Sequence, residues 1–430
     1  MMPRLFVLLG LVLCLGAEPA LGLAGMVVDA VTQAPLAGVS VTTAQGVVKS
    51  DGAGRFRLAL PAASLSLRAA GYRRRQLAVA PGTATLTVAL QPFRPKALYL
   101  SFYGVGSTRL RGAALRLIER TELNALVIDV KGDRGQIAFP SPIPERAGLG
   151  PQKVVPVRDM AALVRQLQQR GVYLIARIVV FKDQPFASAY PALAVHEAAG
   201  GVWHDREGMA WSDPFSPEVW RYNLDIAEAA ARLGFDEIQF DYLRFPDTAG
   251  LVFSRPNTRD NRVGAILGFL TAARQRLAPH NVFVAADVFG YVCWNENDTF
   301  IGQQIERLGA VVDYLSPMLY PSGFTWGIPG YRNPVASPGE IVERSLRRAM
   351  ARTALPGVRF RPWLQSFRDY AFDRRPFGAR EIRAQIDAAE AVGSGGWMLW
   401  NPRNQYSEAG LKLRAAAPPV PAVPAPGGRP

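Results

Sequence analysis

From Lys96 onward the chain repeats one pattern: a short apolar run, then a longer stretch whose apolar residues recur at helical spacing. Eight such runs can be read: KALYLSFY (96–103), NALVIDVK (124–131), VYLIARIVVF (172–181), FDEIQFDY (235–242), NVFVAADVFG (281–290), VDYLSPMLY (312–320), RFRPWLQSF (359–367) and GGWMLWNP (395–402). Between them lie amphipathic stretches such as STRLRGAALRLIERTE, VRDMAALVRQLQQRG, SPEVWRYNLDIAEAAARLG and AREIRAQIDAAEAVG, several opening on Ser or Asp and closing on Gly, as helix caps do. Eight strand–helix repeats over residues 96–414 predict an α/β chain closed into a (β/α)8 barrel. An open doubly wound sheet is the alternative, but no glycine-rich phosphate loop follows the first strand.

Residues 24–91 read differently. Short alternating runs (GMVVDA, GVSVTTA, RFRLAL, SLSLRAA, ATLTVAL) are separated by turn signals such as SDGAGR, which predicts a small all-β, immunoglobulin-like sandwich. The stretch, with its DGAGRF turn, resembles the carboxypeptidase regulatory-like domain, which implies an accessory module. QPFRP links it to the barrel, and the Pro/Ala/Gly tail at 415–430 is expected to be disordered. At the other end, Arg4 precedes about a dozen apolar residues and then small ones, so 1–23 read as a secretory signal peptide. Export to the periplasm or beyond the cell is expected, with no later apolar run long enough to span a membrane. Leu13 before Cys14 argues against a lipid anchor, and Cys293 alone then remains, so no internal disulfide is expected.

The net charge of +14 comes from 6 Lys and 43 Arg scattered over the whole chain, a solvated basic surface rather than a nucleic-acid patch. It leaves an anionic polymer as one candidate partner. Three histidines, His196, His204 and His280, stand at no ligand spacing, so neither a metal nor another cofactor is expected.

In a barrel the chemistry lies at the C-terminal ends of the strands. Those ends carry Asp129 and Lys131, Arg177 and Lys182, Asp241, Tyr242 and Arg244, Asp287, Tyr320, Gln365, and Trp400 with Asn401. Two carboxylates on neighbouring strands, without a Ser/His nucleophile, fit glycoside hydrolysis, in which one protonates the leaving oxygen and the other attacks or activates water. Trp203, Trp211, Trp294, Trp326, Trp397 and Trp400 are candidates for stacking on sugars, or for the core. The catalytic pair expected is Asp241 and Asp287. The substrate-binding set is Asp129, Lys131, Arg177, Lys182, Tyr242, Arg244, Trp294, Tyr320, Trp400 and Asn401. A barrel that binds glycans in the cell envelope without turnover is the alternative.

Six segments, LVIDVKGDRGQI, IARIVVFKD, GFDEIQFDYLRFP, VAADVFG, DYLSPMLYPS and GWMLWNP, resemble a group of bacterial secreted glycoside-hydrolase-like domains catalogued as a domain of unknown function, distantly similar to the α-amylase clan. The resemblance implies Asp241 as nucleophile and an acid at the end of the fifth strand. There the clan carries Glu, whereas this chain has Asp287, with Glu296 on the following loop; a direct nucleophile and a bound water both stay open. Arg244 is a candidate for holding Asp241 ionised. The D-G-x-D-x-D-x-E pattern of chitinase-like barrels keeps only Asp236 and Asp241 here, with Gln239 and Leu243 at the other key positions.

Overall fold

A computed structural model describes residues 22–59 and 62–414. The expected leader lies outside them except for residues 22 and 23, the latter opening the first strand, and the Pro/Ala tail lies outside them entirely. The described chain divides into two compact units, 22–67 with 75–90, and 68–74 with 91–414.

The first unit is all β. Strands β1 (Leu23–Asp29), β2 (Ser40–Thr43), β3 (Gly46–Lys49), β4 (Arg55–Leu58), β5 (Ser64–Arg68), β6 (Arg75–Ala78) and β7 (Thr85–Leu90) form two sheets, ordered β4-β1-β7 and β3-β2-β5-β6. Alternate residues, among them Val39, Val41, Leu65, Leu67, Val88 and Leu90, are buried, as period-2 strands with one inner face require.

The second unit is a closed parallel barrel. Its strands are β8 (Lys96–Leu100), β9 (Ala125–Lys131), β10 (Tyr173–Val179), β11 (Glu237–Asp241), β12 (Phe283–Phe289), β13 (Tyr314–Met318), β14 (Trp363–Gln365) and β15 (Trp397–Trp400), paired in sequence order with β15 closing onto β8. The main helices behind them are α1 (Phe102–Gly106), α2 (Thr108–Arg120), α3 (Ile143–Arg146), α4 (Met160–Gln169), α5 (Gln184–Ala189), α6 (Pro217–Leu233), α7 (Arg259–Leu277), α8 (Ile305–Val311), α9 (Pro338–Thr353) and α10 (Ala379–Ala391). Local chemistry sets their ends. For α6, the Ser216 hydroxyl accepts from the Val219 N–H, Pro217 opens the first turn, and Gly234 closes the helix at φ +104, a left-handed conformation costly for any residue with a Cβ.

Alternation along the strands sorts two cores. Outward aliphatics such as Leu98, Leu126, Ile128, Leu174, Ile178, Ile238 and Leu315 pack against the helices. Inward positions hold Tyr99, Val127, Ile175, Ala285, Tyr314, Trp363 and Met398. Lower in the same interior, Arg361 pairs with Glu237 through Nη1 at 2.7 Å from Oε1, the Tyr173 hydroxyl donates to Glu237, and the guanidinium lies 3.9 Å over the Tyr314 ring. A charge at that depth is tolerated because Glu237 compensates it and Gly395 O accepts from the Arg361 Nε at 3.0 Å.

Candidate active site

β11 explains why a carboxylate ends a buried strand. Its alternate residues Glu237, Gln239 and Asp241 belong to one inward-facing set, so each stands one layer higher in the interior and Asp241 emerges at the mouth. Asp287 is the inward residue at the same level of β12, one step beyond the paired positions Phe240 and Ala286.

Arg177 on β10 organises the mouth. Its Nε and Nη2 donate to Asp241 Oδ2 at 2.9 and 2.7 Å, its Nη1 to Asp129 Oδ1 at 2.6 Å, and its Nη2 to Asp133 Oδ1 at 3.0 Å. The other Asp241 oxygen accepts from the Tyr242 N–H at 2.6 Å. Burial pushes Asp129 up to about 6, against the pull of Arg177 and of the Tyr99 hydroxyl, which donates to Oδ2 at 2.6 Å. The Tyr99 ring stacks on Trp400 with centroids 3.9 Å apart, and the guanidinium lies 5.0 Å over Trp400.

Asp287 has the opposite environment. It is 1% exposed; the Trp363 indole N–H donates to its Oδ1 at 2.8 Å, and its Oδ2 is buried with no hydrogen-bond partner among the described residues. Burial pushes the carboxyl well above the usual carboxylate range and the charge of Asp241 adds to it, while Arg177 and the indole N–H pull the other way. With Oδ1 accepting from the indole, Oδ2 is the oxygen left to carry the proton. Tyr320, inward beside both acids, has its phenol pushed up by burial and by their charge.

A pocket of about 230 Å³ opens on the β8–β9 side, lined among others by Tyr99, Tyr103, Asp129, Asp133, Gln136 and Trp400. Its wall reaches Asp241 through Asp129, which shares Arg177 with it. Among the described residues no group of three His, Cys, Asp or Glu is arranged to hold a metal ion; the acids here converge on a guanidinium.

The structure therefore gathers Asp129, Arg177, Asp241, Asp287, Tyr320 and Trp400. It places other expected residues elsewhere. Lys131 points away from the mouth: its Nζ lies 2.6 Å from Asp183 and donates to Val179 O and Asn223 Oδ1. The cause is a bulge, since Arg177 pairs with Asp129 but Ile178 pairs with Lys131, and the extra Val130 turns Lys131 to the outward side. Trp294 packs outside the barrel, its N–H donating to Ser345 on α9. Glu296 is 87% exposed and 3.6 Å from Arg348, away from the buried Asp287. Arg244 makes no hydrogen bond or ion pair with Asp241; it lies 5.0 Å over Trp211 and 5.6 Å over Tyr242, and the cation paired with Asp241 is Arg177.

Lys182 pairs with Asp205 and Glu207 and lies 5.0 Å over the Tyr242 ring, so both side chains wall the mouth. Tyr242 itself has φ +48, a left-handed backbone for a bulky residue, held by the Trp211 packing and by its bond to Asp241. Asn401 ties two strand ends, donating to Ser366 O at 2.6 Å. Tyr99, Asp133 and Trp363 went unrecognised in the sequence. Parity was the available signal for two of them: Trp363 is two residues before Gln365, and Tyr99 two after Ala97.

Residues 97–406 match the sequence profile of a family described as "Putative glycosyl hydrolase domain". Among solved structures, a hypothetical protein from Ruminiclostridium thermocellum ATCC 27405 is similar at 36% identity, over 44% of this chain and 97% of that one, with a TM-score of 0.40. The PgaB (BpsB) glycoside hydrolase domain from Bordetella bronchiseptica is similar at 16% identity, over 73% and 95% of the two chains, with a TM-score of 0.52. α-L-Fucosidase isoenzyme 2 from Paenibacillus thiaminolyticus is similar at 15% identity, over 74% and 47%, with a TM-score of 0.50. No curated protein matches.

Proposed function

The chain belongs to this glycosyl hydrolase family, and from that premise we propose that its barrel cleaves a glycosidic bond with Asp241 and Asp287 as the reacting carboxyl groups. One observation carries the reading: two inward carboxyls on adjacent strands stand in opposite environments, Asp241 in an ion pair with Arg177 and Asp287 buried and pushed up.

In the first step a carboxylate oxygen of Asp241 attacks the anomeric carbon, the bond to the leaving oxygen breaks, and the Asp287 Oδ2 proton passes to that oxygen. In the second step Asp287, now ionised, takes a proton from water, whose oxygen displaces Asp241 and releases the sugar. Arg177 spreads the charge of Asp241 over a second partner and relinquishes part of its hold as the glycosyl ester forms. Asp129 and Asp133 keep that guanidinium in place throughout.

Among the described residues no helix is long and apolar enough to cross a membrane. The leader-like N-terminus supports action on a polysaccharide outside the cytoplasm.

The test is release of reducing ends from a panel of neutral and charged polysaccharides by the purified protein and by Asp241→Asn and Asp287→Asn. Loss of release by at least about a hundredfold in both variants, with folding and binding kept, is the expected result. Binding without release in all three proteins means a glycan-recognition barrel, and the catalytic roles are then withdrawn.

A further inference from the structure

Every exposed Phe, Tyr or Trp in the described part of the second unit lies in the stretch from the last residue of a barrel strand to the long helix that returns to the next strand: Tyr103 on α1 before α2, Tyr190 between α5 and α6, Phe289 as the last residue of β12, and Phe300, Trp326 and Tyr370 on loops. Chance exposure would scatter such residues over helices and over both faces of the barrel. Here they stand only on the face that carries Asp241 and Asp287.

Trp326 is the extreme case, 92% exposed on a turn that is itself well fixed. The Gly327 N–H donates to Phe324 O, the Trp326 N–H donates to the Tyr291 hydroxyl, and the buried Phe324 ring packs edge-on to Tyr291 at 5.0 Å. The backbone is held and the indole is presented, which forgoes the burial a Trp would otherwise seek. Tyr370 is 50% exposed on the next loop, 366–375. Asp369 anchors that loop by accepting from Ser322 Oγ and from the N–H groups of Ala371, Phe372 and Arg374.

Tyr370 leads back to the carboxyl pair. Tyr370 stacks with Phe367 at 9° between ring planes, and Phe367 meets Tyr320 edge-on at 5.6 Å. Tyr320 is the ring that feels the charges of Asp241 and Asp287. The path thus runs from the reacting groups outward along the loops after β13 and β14. On the other side of the mouth, the pocket of the β8–β9 side ends at Tyr103, 59% exposed. Ring order puts β8, which Tyr103 follows, three strands from β13.

We propose that the mouth of the barrel binds an extended glycan several sugars long, with the loops after β13 and β14 forming outlying subsites through Tyr370 and Trp326, so that internal linkages are presented for cleavage. Flat aromatic faces suit the C–H faces of pyranose rings, and sugars beyond the cleaved bond need platforms at a distance from it. The binding claim stands on the aromatic placement; internal cleavage rests on the hydrolase reading above.

The test is affinity electrophoresis of the full protein, Trp326→Ala and Tyr370→Ala through native gels that each contain xylan, hydroxyethyl cellulose, alginate or glycol chitosan. Retardation by at least one polymer, with the dissociation constant raised about tenfold or more in each variant, is expected. Equal retardation of all three proteins, or retardation by none of the polymers, overturns the proposal. Trp326 is solvent-exposed, so that variant folds, and matched circular dichroism spectra verify both. Retardation that falls as expected while the wild-type protein releases no reducing ends from the same polymer keeps the glycan cleft and removes the hydrolase reading.

Discussion

At the scale of single residues, the site depends on how one arginine is shared and how one acid is hidden. Arg177 meets three carboxylates, and that shared pairing leaves Asp287, one strand further on, without a cation of its own. The Trp363 N–H is the one neutral donor that steadies the Asp287 charge. It lowers the affinity of that carboxyl for its proton, so Trp363→Phe raises it further. The alkaline limb of the pH profile for kcat/KM then moves to higher pH, by about one unit for a bond of ordinary strength, and kcat falls because Oδ1 is no longer oriented. A profile of the variant superimposable on that of the wild type would show that Asp287 is not the titrating acid. At low pH the ordering reverses: Asp129, raised to about 6, takes up a proton and weakens its pairing with Arg177, which sets an acid limb in that region. Asp241 and Asp287 were legible in the sequence because one closes an apolar run and the other interrupts one near its C-terminal end. Trp363 was not, because an indole inside a strand reads as core until its partner 76 residues away is known.

At the scale of elements, strand parity does most of the work, and the exception is instructive. Asp129 and Lys131 share parity in β9, which predicts that both face the mouth. The bulge at Val130 sends Lys131 into a buried pair with Asp183, whose own carboxylate caps α5 by accepting from the Phe186 N–H. Burial pulls the lysine down and pushes the aspartate up, so the two charges are held only by each other and by a few polar neighbours. Lys131→Met leaves Asp183 uncompensated and costs about 3–5 kcal/mol in urea unfolding. Adding Asp183→Asn, which keeps the cap without the charge, recovers most of that loss. A double variant no more stable than the single one would place the cost in packing rather than in charge. A bulge has no reliable sequence signal, since the extra residue here is an ordinary valine.

At the scale of the whole molecule, closure of the barrel buries Cys293 completely, and burial pushes its thiol up to about 12. A thiol reagent is therefore expected to label Cys293 only as the barrel opens, with a rate that follows global unfolding in denaturant. Fast labelling of the native protein would reveal local opening around residues 290–294 instead. The sequence by itself determined the repeating strand and helix order, the change of pattern near residue 91, and which strand ends carry acids, because periodicity, caps and turn residues act over a few neighbours. The tertiary structure alone decided which of those side chains meet. Arg177 is 48 residues from Asp129 and 64 from Asp241, so nothing local distinguishes it from the many other arginines, or from Arg244, three positions after the acid it was expected to serve. Only the pairing of β10 with β9 and β11 brings those partners within hydrogen-bond reach, and burial in the barrel interior leaves two similar aspartates in opposite environments, one paired with a cation and one pushed above the usual carboxylate range.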